Sequence, residues 1–209
     1  MSRDAALAAG INELGLFLQA FQRKQLLTYI DLLAKWNEVY NLTAIRDEDE
    51  MLSHHLLDAL SIVPHVAGRH FLDVGSGAGL PGIPVAIADP KCEVTLLDSN
   101  QKKAAFLQQA VIELALQNAT VCAARIEAWH PARHFEVIAS RAFSDLAEFV
   151  GQTQHLLAEH GVFAAMKGAY PHAEIERLPE VFRVRAVKRL AVPGLAGERH
   201  LVLVERATS

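Results

Sequence analysis

The sequence predicts a doubly wound α/β fold with a mainly parallel, seven-stranded sheet and an N-terminal helical cap. Three observations lead to this fold class. From residue 70 onward, short apolar runs alternate with helical patterns, which is typical of βαβ units. A glycine-rich turn follows the first apolar run, whereas the preceding residues show only helical spacing. The 209 residues suffice for one domain with a short appended segment.

The cap is predicted over residues 1–65 and the main domain over residues 66–209, the two forming one structural unit. Apolar residues of the cap recur at helical spacing, namely Leu26, Leu27, Ile30, Leu33 and Ala34, with Trp36 and Val39 extending the stripe. A second helix is predicted from Met51 to Val63. Pro64 and Gly68 then mark a boundary.

The elements of the main domain follow from short apolar runs and the helical patterns between them. Strands are predicted at 71–74, 93–97, 120–124, 135–140, 161–166, 182–190 and 201–204. Helices are predicted at 81–88, 102–116 and 146–157. The predicted apolar face of the middle helix consists of Ala105, Phe106, Gln109, Ile112 and Leu116.

The composition excludes several classes of protein. A chain that is 51% hydrophobic and 21% charged is not largely disordered. No apolar stretch approaches the roughly 18 residues of a membrane span, and the first residues do not resemble a signal peptide. Cys92 and Cys122 are too few for a disulfide framework or a four-cysteine zinc site. We therefore expect a cytoplasmic protein without a membrane segment.

The segment from Asp73 to Gly82, DVGSGAGLPG, carries the strongest functional signal. It follows a predicted strand and opens a helix, and its glycines allow the backbone to approach a ligand closely. Gly77, Gly79 and Gly82 have the spacing of a dinucleotide fingerprint, and Asp98 lies 21 residues after Gly77. Alternatively, the glycines make only a tight turn between strand and helix.

Three features favour a cationic nucleoside without phosphates over a dinucleotide. Asp73 lies within the strand before the first glycine, where a carboxylate suits a bound cation or donor. Pro81 and Pro84 remove N–H donors that a pyrophosphate requires. Asp98 ends the next strand, at the same edge of a doubly wound sheet, where it can bind a ribose diol.

DVGSGAG resembles motif I of the class I S-adenosylmethionine methyltransferases. A wider ordered set covers nearly the whole chain: Trp36-Asn37, Asn41-Leu42-Thr43, HLLDAL at 55–60, GSGAGLPGIP at 75–84, Leu97-Asp98-Ser99, SRAF at 140–143, Lys167-Gly168 and GERH at 197–200. This set resembles the bacterial 16S rRNA guanine-N7 methyltransferases of the RsmG family, formerly called glucose-inhibited division protein B. Two positions depart from the family, which often has Phe at Leu80 and Lys-Arg at Lys102-Lys103.

The resemblance implies S-adenosylmethionine as cofactor and a set of binding residues. These are Asp73, Gly75, Ser76, Gly77, Gly79, Leu80, Asp98, Ser99, Ile126, Glu127 and Arg141. In this interpretation Asp98 binds the ribose, and Ile126 and Glu127 flank the adenine. Judged from position alone, Glu127 could equally be a carboxylate exposed to solvent. The alternative for Arg141 is a structural ion pair with Asp73 or Glu127.

The implied reaction is methylation of guanine N7 in the 530 loop of 16S rRNA. Because N7 carries a lone pair and no proton at neutral pH, no general base is required, and we assign no proton-transfer residue. Arg141 and Asn41 are the positioning candidates. Arg141 would hold the carboxylate of the cofactor or the substrate nucleotide, and Asn41 alternatively ends a helix. His54 and His55 are adjacent and lack a suitably spaced third ligand, so we expect no metal site.

The charge distribution suggests where RNA binds. The chain carries a net charge of −4, yet the part from Lys167 onward carries +3. The candidate RNA contacts are Lys102, Lys103, Lys167, Arg185 and Arg199. Arg183, Arg185 and Arg189 are separated by even numbers of residues, so a regular strand would place them on one face. This face either contacts RNA or is simply exposed to solvent. We expect a monomer that binds naked RNA weakly and prefers the small subunit or an assembly intermediate.

Three alternative functions remain open from the sequence. The first is a methyltransferase that acts on another RNA, a protein or a small molecule. The second is a nicotinamide-dependent oxidoreductase, because of the G-x-G-x-x-G spacing. The third is a non-catalytic nucleoside-binding regulator that uses the same fold.

Overall fold

A central seven-stranded sheet organises the protein in a computed structural model, which describes residues 2–141 and 143–207. Its strands are β1 (His70–Val74), β2 (Glu93–Leu97), β3 (Ala119–Cys122), β4 (Phe135–Ser140), β5 (Leu157–Lys167), β6 (Phe182–Arg189) and β7 (His200–Arg206). Their order is β3-β2-β1-β4-β5-β7-β6, with β7 antiparallel to both neighbours and the other pairs parallel. The predicted fold class is confirmed. Ala142, part of the SRAF motif, lies outside the described residues.

Helices cover both faces of this sheet. They are α1 (Arg3–Glu13), α2 (Ala20–Tyr40), α3 (Glu48–Met51), a π-helical segment (Leu52–Leu57), α4 (Asp58–Leu60), α5 (Gly82–Ala88), α6 (Gln101–Glu113), α7 (Leu146–Thr153) and α8 (His172–Glu176), with 3₁₀ turns at Val63–His65, Ile126–Ala128 and Gln154–Leu156. Neighbouring residues of one strand enter opposite core clusters. Phe71 packs with the N-terminal helices, α5 and α6, whereas Leu72 packs with α7.

The cap shares its core with the main domain. Leu26 and Ile30 of α2 belong to the same buried cluster as Ile83 of α5, so the core crosses the predicted boundary at residue 65. Two buried polar bonds fix this packing. The Gln22 amide donates to the carbonyl of Ile87 at 2.7 Å, and the Tyr29 hydroxyl donates to the carbonyl of Ala78 at 2.5 Å. The second bond ties the cap to the glycine loop.

The helix predicted from Met51 to Val63 has a different winding from the one expected. The prediction of a single α-helix is wrong, because Leu52–Leu57 forms a π-helix between two short α-helical turns. Wide turns of this kind are frequent at functional sites. In this protein the wide turn brings the His54 carbonyl and the Asp58 carboxylate to one guanidinium, that of Arg141.

Two predicted faces are corrected by the structure. In α6, Ala105, Gln109 and Ile112 are exposed, and the buried face consists of Ala104, Phe106, Leu107, Ala110 and Val111. Apolar residues occur on both sides of this helix, so its periodicity alone allowed two overlapping faces. Val39, predicted to extend the stripe of α2, is also exposed.

In β6, the prediction that the arginines share one face of the strand is wrong. The strand register shifts between Val184 and Ala186. A β-bulge reverses the alternation of side chains. Arg183 lies opposite Glu205, whereas Arg189 lies opposite His200. These two arginines therefore project to different faces of the sheet, because Glu205 and His200 are an odd number of residues apart.

Gly82 allows the glycine loop to pack against the sheet. A Cβ at this position would collide with the Leu96 side chain and lie 2.8 Å from the Asp73 carboxylate. We predict that Gly82→Ala lowers the free energy of unfolding by about 1–3 kcal/mol, since overpacking forces neighbours to shift. Urea unfolding followed by circular dichroism measures this change.

The matched control is Gly151→Ala in the exposed part of α7, where an added Cβ meets nothing within 4 Å. It should raise the free energy of unfolding by about 0.5–1 kcal/mol through helix propensity. Equal effects of the two substitutions would show that Gly82 is not sterically required.

Candidate active site

An open cavity of about 410 Å³ lies at the carboxyl ends of β1, β2 and β4. Its lining residues are Val74, Gly75, Leu97, Asp98, Ser99, Ala124, Arg125, Ile126, Glu127, Phe143, Ser144, Glu148 and Gln152. Five predicted cofactor residues are among them: Gly75, Asp98, Ser99, Ile126 and Glu127. The volume lies within the roughly 300–1,000 Å³ of small-molecule sites.

The backbone donors of the glycine loop are mostly engaged inside the protein. Six N–H groups of the loop have acceptors: those of Gly75 and Ser76 donate to the Leu97 carbonyl, that of Gly77 to Asp98, those of Gly79 and Leu80 to the Ser76 carbonyl, and that of Gly82 to Asp73. Gly77 and Gly79 adopt positive φ angles of 56° and 88°, which suit glycine. A pyrophosphate needs such N–H groups free, so this geometry disfavours the dinucleotide alternative.

Asp98 both shapes the loop and faces the cavity. One carboxylate oxygen accepts from the Gly77 N–H at 2.9 Å, and the other accepts from the Asn100 N–H at 2.8 Å. Each carboxylate oxygen has a further lone pair. Asp98 lines the cavity while only 7% exposed. It can therefore accept hydroxyl donors of a ribose without releasing the loop.

Asp73 lies beneath the glycine loop and does not line the cavity. It is fully buried, and one oxygen accepts from the Gly82 N–H at 2.9 Å. Its other oxygen has no hydrogen-bond partner among the described residues. Burial raises the pKa of Asp73 to about 7, against the opposing effect of the Gly82 bond. The structure therefore gives Asp73 a role in holding the loop, and its direct contact with a cofactor stays a prediction.

The other predicted loop residues also lie behind the cavity surface. Ser76, Gly79 and Leu80 are buried, and Gly77 is partly exposed. The Ser76 hydroxyl donates to the Asp73 carbonyl at 2.9 Å, which closes the turn. These residues set the shape of the loop around the cavity.

Arg141 has partners that were not weighed from the sequence, whereas Asn41 has the helix-ending position that was one of its alternatives. Arg141 pairs with Asp58 at 3.3 Å and donates to the His54 carbonyl at 3.2 Å, not to Asp73 or Glu127. It does not line the cavity. Asn41 is exposed, has a φ of 49° and caps the C-terminus of α2. The helix-ending alternative therefore describes Asn41.

The predicted RNA contacts fall into two groups. Lys102 and Lys103 lie in the first turn of α6, and Arg199 directly precedes β7, so all three lie at the carboxyl edge of the sheet. Lys167 is 9% exposed in its side chain and pairs with Glu174 at 2.7 Å. Arg185 lines a separate cavity with Gly68 and Glu136 at the amino edge. Lys167 lies at the same edge as the first three residues, because it ends β5 opposite His200, whereas Arg185 lies at the opposite edge.

Sequence reasoning missed one wall of the cavity. Glu148 and Gln152 lie one turn apart on α7, joined by a hydrogen bond of 3.1 Å. Their spacing of four residues is the only sequence signal, and it is common on solvated helices. Phe143 of the SRAF motif also lines the cavity, although no role was predicted for it.

Comparison with solved structures defines the class of the fold. The glycopeptide N-methyltransferase MtfA, complexed with S-adenosyl-L-methionine, aligns with a TM-score of 0.60 over 74% of this chain and 88% of that chain, at 15% identity. The ribosomal protein L11 methylase from Lactobacillus delbrueckii subsp. bulgaricus aligns with a TM-score of 0.57 over 72% and 77%, also at 15% identity. The fold is that of the class I methyltransferases.

Sequence comparison defines the family within this class. The GidB family model, described as rRNA small subunit methyltransferase G, matches residues 22–202. A ribosomal RNA small subunit methyltransferase G from Laribacter hongkongensis is 58% identical over 97% of this chain and 98% of its own. Those from Neisseria meningitidis serogroup A and Pseudomonas paraeruginosa are 53% and 54% identical, with 99% and 96% of this chain covered, and 100% and 94% of their own.

The chain therefore belongs to the GidB family. The predicted activity is confirmed at the level of an S-adenosylmethionine-dependent methyltransferase of small-subunit ribosomal RNA. This identification removes the oxidoreductase alternative. Within the described residues, no helix is long and apolar enough to cross a membrane.

The buried carboxyl of Asp73 predicts a pH-dependent stability. With a pKa of about 7 instead of 3.8, native Asp73 holds its proton where the unfolded chain has released it. Stability therefore falls as the pH rises between these values, by up to about 1.4 kcal/mol per pH unit. In Asp73→Asn this contribution is absent.

The difference in unfolding free energy, variant minus wild type, should thus increase from about pH 5 to about pH 8. Urea titrations at several pH values measure it. A difference that stays constant over this range would contradict the raised pKa of Asp73.

Asp98 provides a direct test of cofactor binding. We predict that Asp98→Asn weakens the binding of S-adenosylhomocysteine about 10- to 100-fold, because hydrogen bonds to a charged acceptor contribute about 1.5–3 kcal/mol. Isothermal titration calorimetry measures the affinity. The control is Asp89→Asn, whose carboxylate accepts from the Lys91 N–H outside the cavity. Unchanged affinity in Asp98→Asn would exclude a ribose contact.

Proposed function

We propose that this protein transfers a methyl group from S-adenosylmethionine to N7 of a guanine in the 530 loop of 16S rRNA. The observation that carries the proposal is the nucleoside-sized cavity at the carboxyl edge, which presents the Asp98 carboxylate beside a loop whose N–H groups are internally bonded. Such a site favours an uncharged ribose over a pyrophosphate. The family match supplies the class of RNA.

The reaction requires the protein to align guanine N7 with the methyl group and does not require it to transfer a proton. When bound, S-adenosylmethionine supplies an electrophilic methyl group, and guanine N7 offers a lone pair without losing a proton. The side chains near the site suit this requirement. His55 accepts from or donates to the Thr43 hydroxyl at 2.8 Å, and burial, with the nearby Arg141 charge, lowers its pKa to about 4. His55 is therefore neutral at physiological pH, and its hydrogen bond to Thr43 has a structural role.

The RNA surface is proposed to follow the carboxyl edge of the sheet. Lys102 and Lys103 lie in the first turn of α6 at this edge, and Arg199 directly precedes β7 at the same edge. Because the chain as a whole carries −4, this small basic surface favours RNA held in a defined shape over any RNA chain. We therefore propose a monomeric cytoplasmic enzyme whose substrate is the small subunit or an assembly intermediate.

The decisive experiment offers labelled S-adenosylmethionine with 30S subunits, or with naked 16S rRNA, from a strain that lacks the endogenous activity. We expect label in 7-methylguanosine at one position of the 530 loop, with more product from the particle. Nuclease mapping and mass spectrometry identify the nucleotide. Label at another nucleotide would overturn the proposed site while leaving the methyltransferase class intact.

The same assay tests the remaining alternatives. Tight binding of S-adenosylhomocysteine with no label in either RNA would favour another methyl acceptor or a non-catalytic regulator. A matched control is the Asp98→Asn variant, which should lose product in proportion to its lost cofactor affinity.

A further inference from the structure

We propose that Lys167 is a positioning residue for the cofactor cavity, because it holds the connection between β4 and α7 in place through the carbonyl of Phe143. The inference rests on the proposed function, which assigns the cavity to the cofactor, and deepens it by naming a residue that sets the shape of one cavity wall. It gives Lys167 a role other than contact with an RNA phosphate.

Lys167 is an enclosed lysine with contacts to two other parts of the chain. Its Nζ donates to the Phe143 carbonyl at 3.0 Å and lies 2.7 Å from a carboxylate oxygen of Glu174. The side chain of Lys167 is 9% exposed, and that of Glu174 is 19% exposed. An ammonium group in such a position needs partners, because the burial of an unpaired charge is costly. The carbonyl and the carboxylate supply them.

These contacts join three parts of the fold. Lys167 ends β5, Glu174 lies in α8, and Phe143 lies in the connection that leads from β4 to α7. The end of β5 is itself fixed, because His200 of β7 is buried and its Nδ1 lies 2.8 Å from the carbonyl of Gly168. Lys167 therefore reaches from a rigid part of the sheet to a connection outside the helices and strands.

The carbonyl that accepts this bond belongs to a wall of the cavity. Phe143 and Ser144 both line the cavity, and the Phe143 ring packs on Phe149 with 5.3 Å between the ring centroids. Because a peptide unit is planar, the bond that fixes the Phe143 carbonyl also fixes the direction of the Ser144 N–H. Arg141, a predicted cofactor residue, lies at the start of the same connection. Lys167 does not line the cavity, so it acts on the cofactor through these residues.

A second ion pair of α8 reaches the same connection, but it is more exposed. Arg177 lies 2.9 Å from Asp145, which caps the N-terminus of α7, and their side chains are 65% and 30% exposed. Exposed pairs contribute little, because solvent screens their charges. The enclosed pair of Lys167 and Glu174 is thus the stronger of these two constraints on the cavity wall.

A phosphate contact and a purely stabilising ion pair are the other interpretations of Lys167. A phosphate contact requires an ammonium group that reaches solvent, whereas the side chain of Lys167 is enclosed and paired with Glu174. A stabilising pair requires only its two partners, and apolar side chains of similar volume often stabilise a protein equally well. The additional bond to a carbonyl of the cavity wall is explained by the positioning role alone.

The test compares Lys167→Met with wild-type protein in cofactor binding, RNA binding and methylation. We expect the dissociation constant of S-adenosylhomocysteine and the KM for S-adenosylmethionine to rise about tenfold, which is the size of a lost hydrogen bond from a charged donor. The kcat at saturating cofactor should stay near the wild-type value, because a bound cofactor holds the wall in place again. The KM for RNA and the salt dependence of RNA binding should not change.

Hydrogen exchange provides a readout that does not depend on activity. In Lys167→Met, the backbone amides of residues 143–148 should exchange faster, because the connection that carries them has lost an anchor. The amides of the glycine loop, residues 75–82, should exchange at the wild-type rate. Saturating S-adenosylhomocysteine should slow the exchange of residues 143–148 in both proteins.

A double variant separates positioning from stability and keeps the test informative if Lys167→Met folds poorly. Lys167→Met removes the cation beside Glu174, and adding Glu174→Met removes the carboxylate that is left, so the free energy of unfolding should recover. The affinity for S-adenosylhomocysteine should stay low, because the bond to the Phe143 carbonyl is still missing. The matched control is Lys24→Met at an exposed position of α2, which changes the net charge by the same amount.

Two results would overturn the positioning role. If the double variant recovers both its stability and its affinity for S-adenosylhomocysteine, Lys167 only stabilises the fold. If Lys167→Met binds the cofactor normally and the salt dependence of RNA binding falls by about one phosphate contact, Lys167 binds the RNA backbone.

The outcomes also separate this role from the proposed function. If wild-type protein methylates the 530 loop and Lys167→Met binds S-adenosylhomocysteine normally, the positioning role is wrong and the proposed function stands. If wild-type protein methylates no 530-loop guanine but both Lys167 variants still bind S-adenosylhomocysteine weakly, the proposed function is wrong and the positioning role stands.

Discussion

Two carboxyl groups at the ends of neighbouring strands accept hydrogen bonds from the glycine loop, and the shape of the cavity beside this loop depends on them. Asp98 binds the N–H of Gly77, and Asp73 binds the N–H of Gly82. Because one end of the loop is tied to β2 and the other to β1, its backbone is held open before any ligand arrives. Preorganisation of this kind reduces the conformational entropy that binding costs.

The contacts also explain why the cap and the sheet form one structural unit. The Tyr29 hydroxyl holds the loop from the side of α2, and Asp58 reaches the ends of β4 and β7 from the side of α4. The cap therefore contributes one contact to the glycine loop and one carboxylate to the arginines at the ends of β4 and β7. A separable cap would leave both sides with unpaired polar groups, which are costly when buried.

Local patterns predicted the sheet and its alternation with helices, and the end of a strand predicted the position of Asp98. The family resemblance added Gly75, which also lines the cavity. The sequence did not predict which edge residues are enclosed. The prediction that the arginines of β6 lie on one face failed, because a bulge reverses the alternation of side chains in that strand. The partner of Arg141 is 83 residues away on another element, and no local pattern specifies such a pairing. The winding of Leu52–Leu57 likewise depends on tertiary contacts that a hydrophobic period does not encode.

The π-helix between α3 and α4 constrains the length of the chain as well as its chemistry. Each residue of an α-helix turns the chain by about 100°, so a deletion that restored ordinary winding would rotate Asp58 away from both arginines while keeping every side chain in the sequence. Point substitutions at the partly exposed positions of this segment, Ser53 and His54, leave the path of the backbone intact. This stretch of the protein should consequently tolerate changes of residue type far better than changes in residue number.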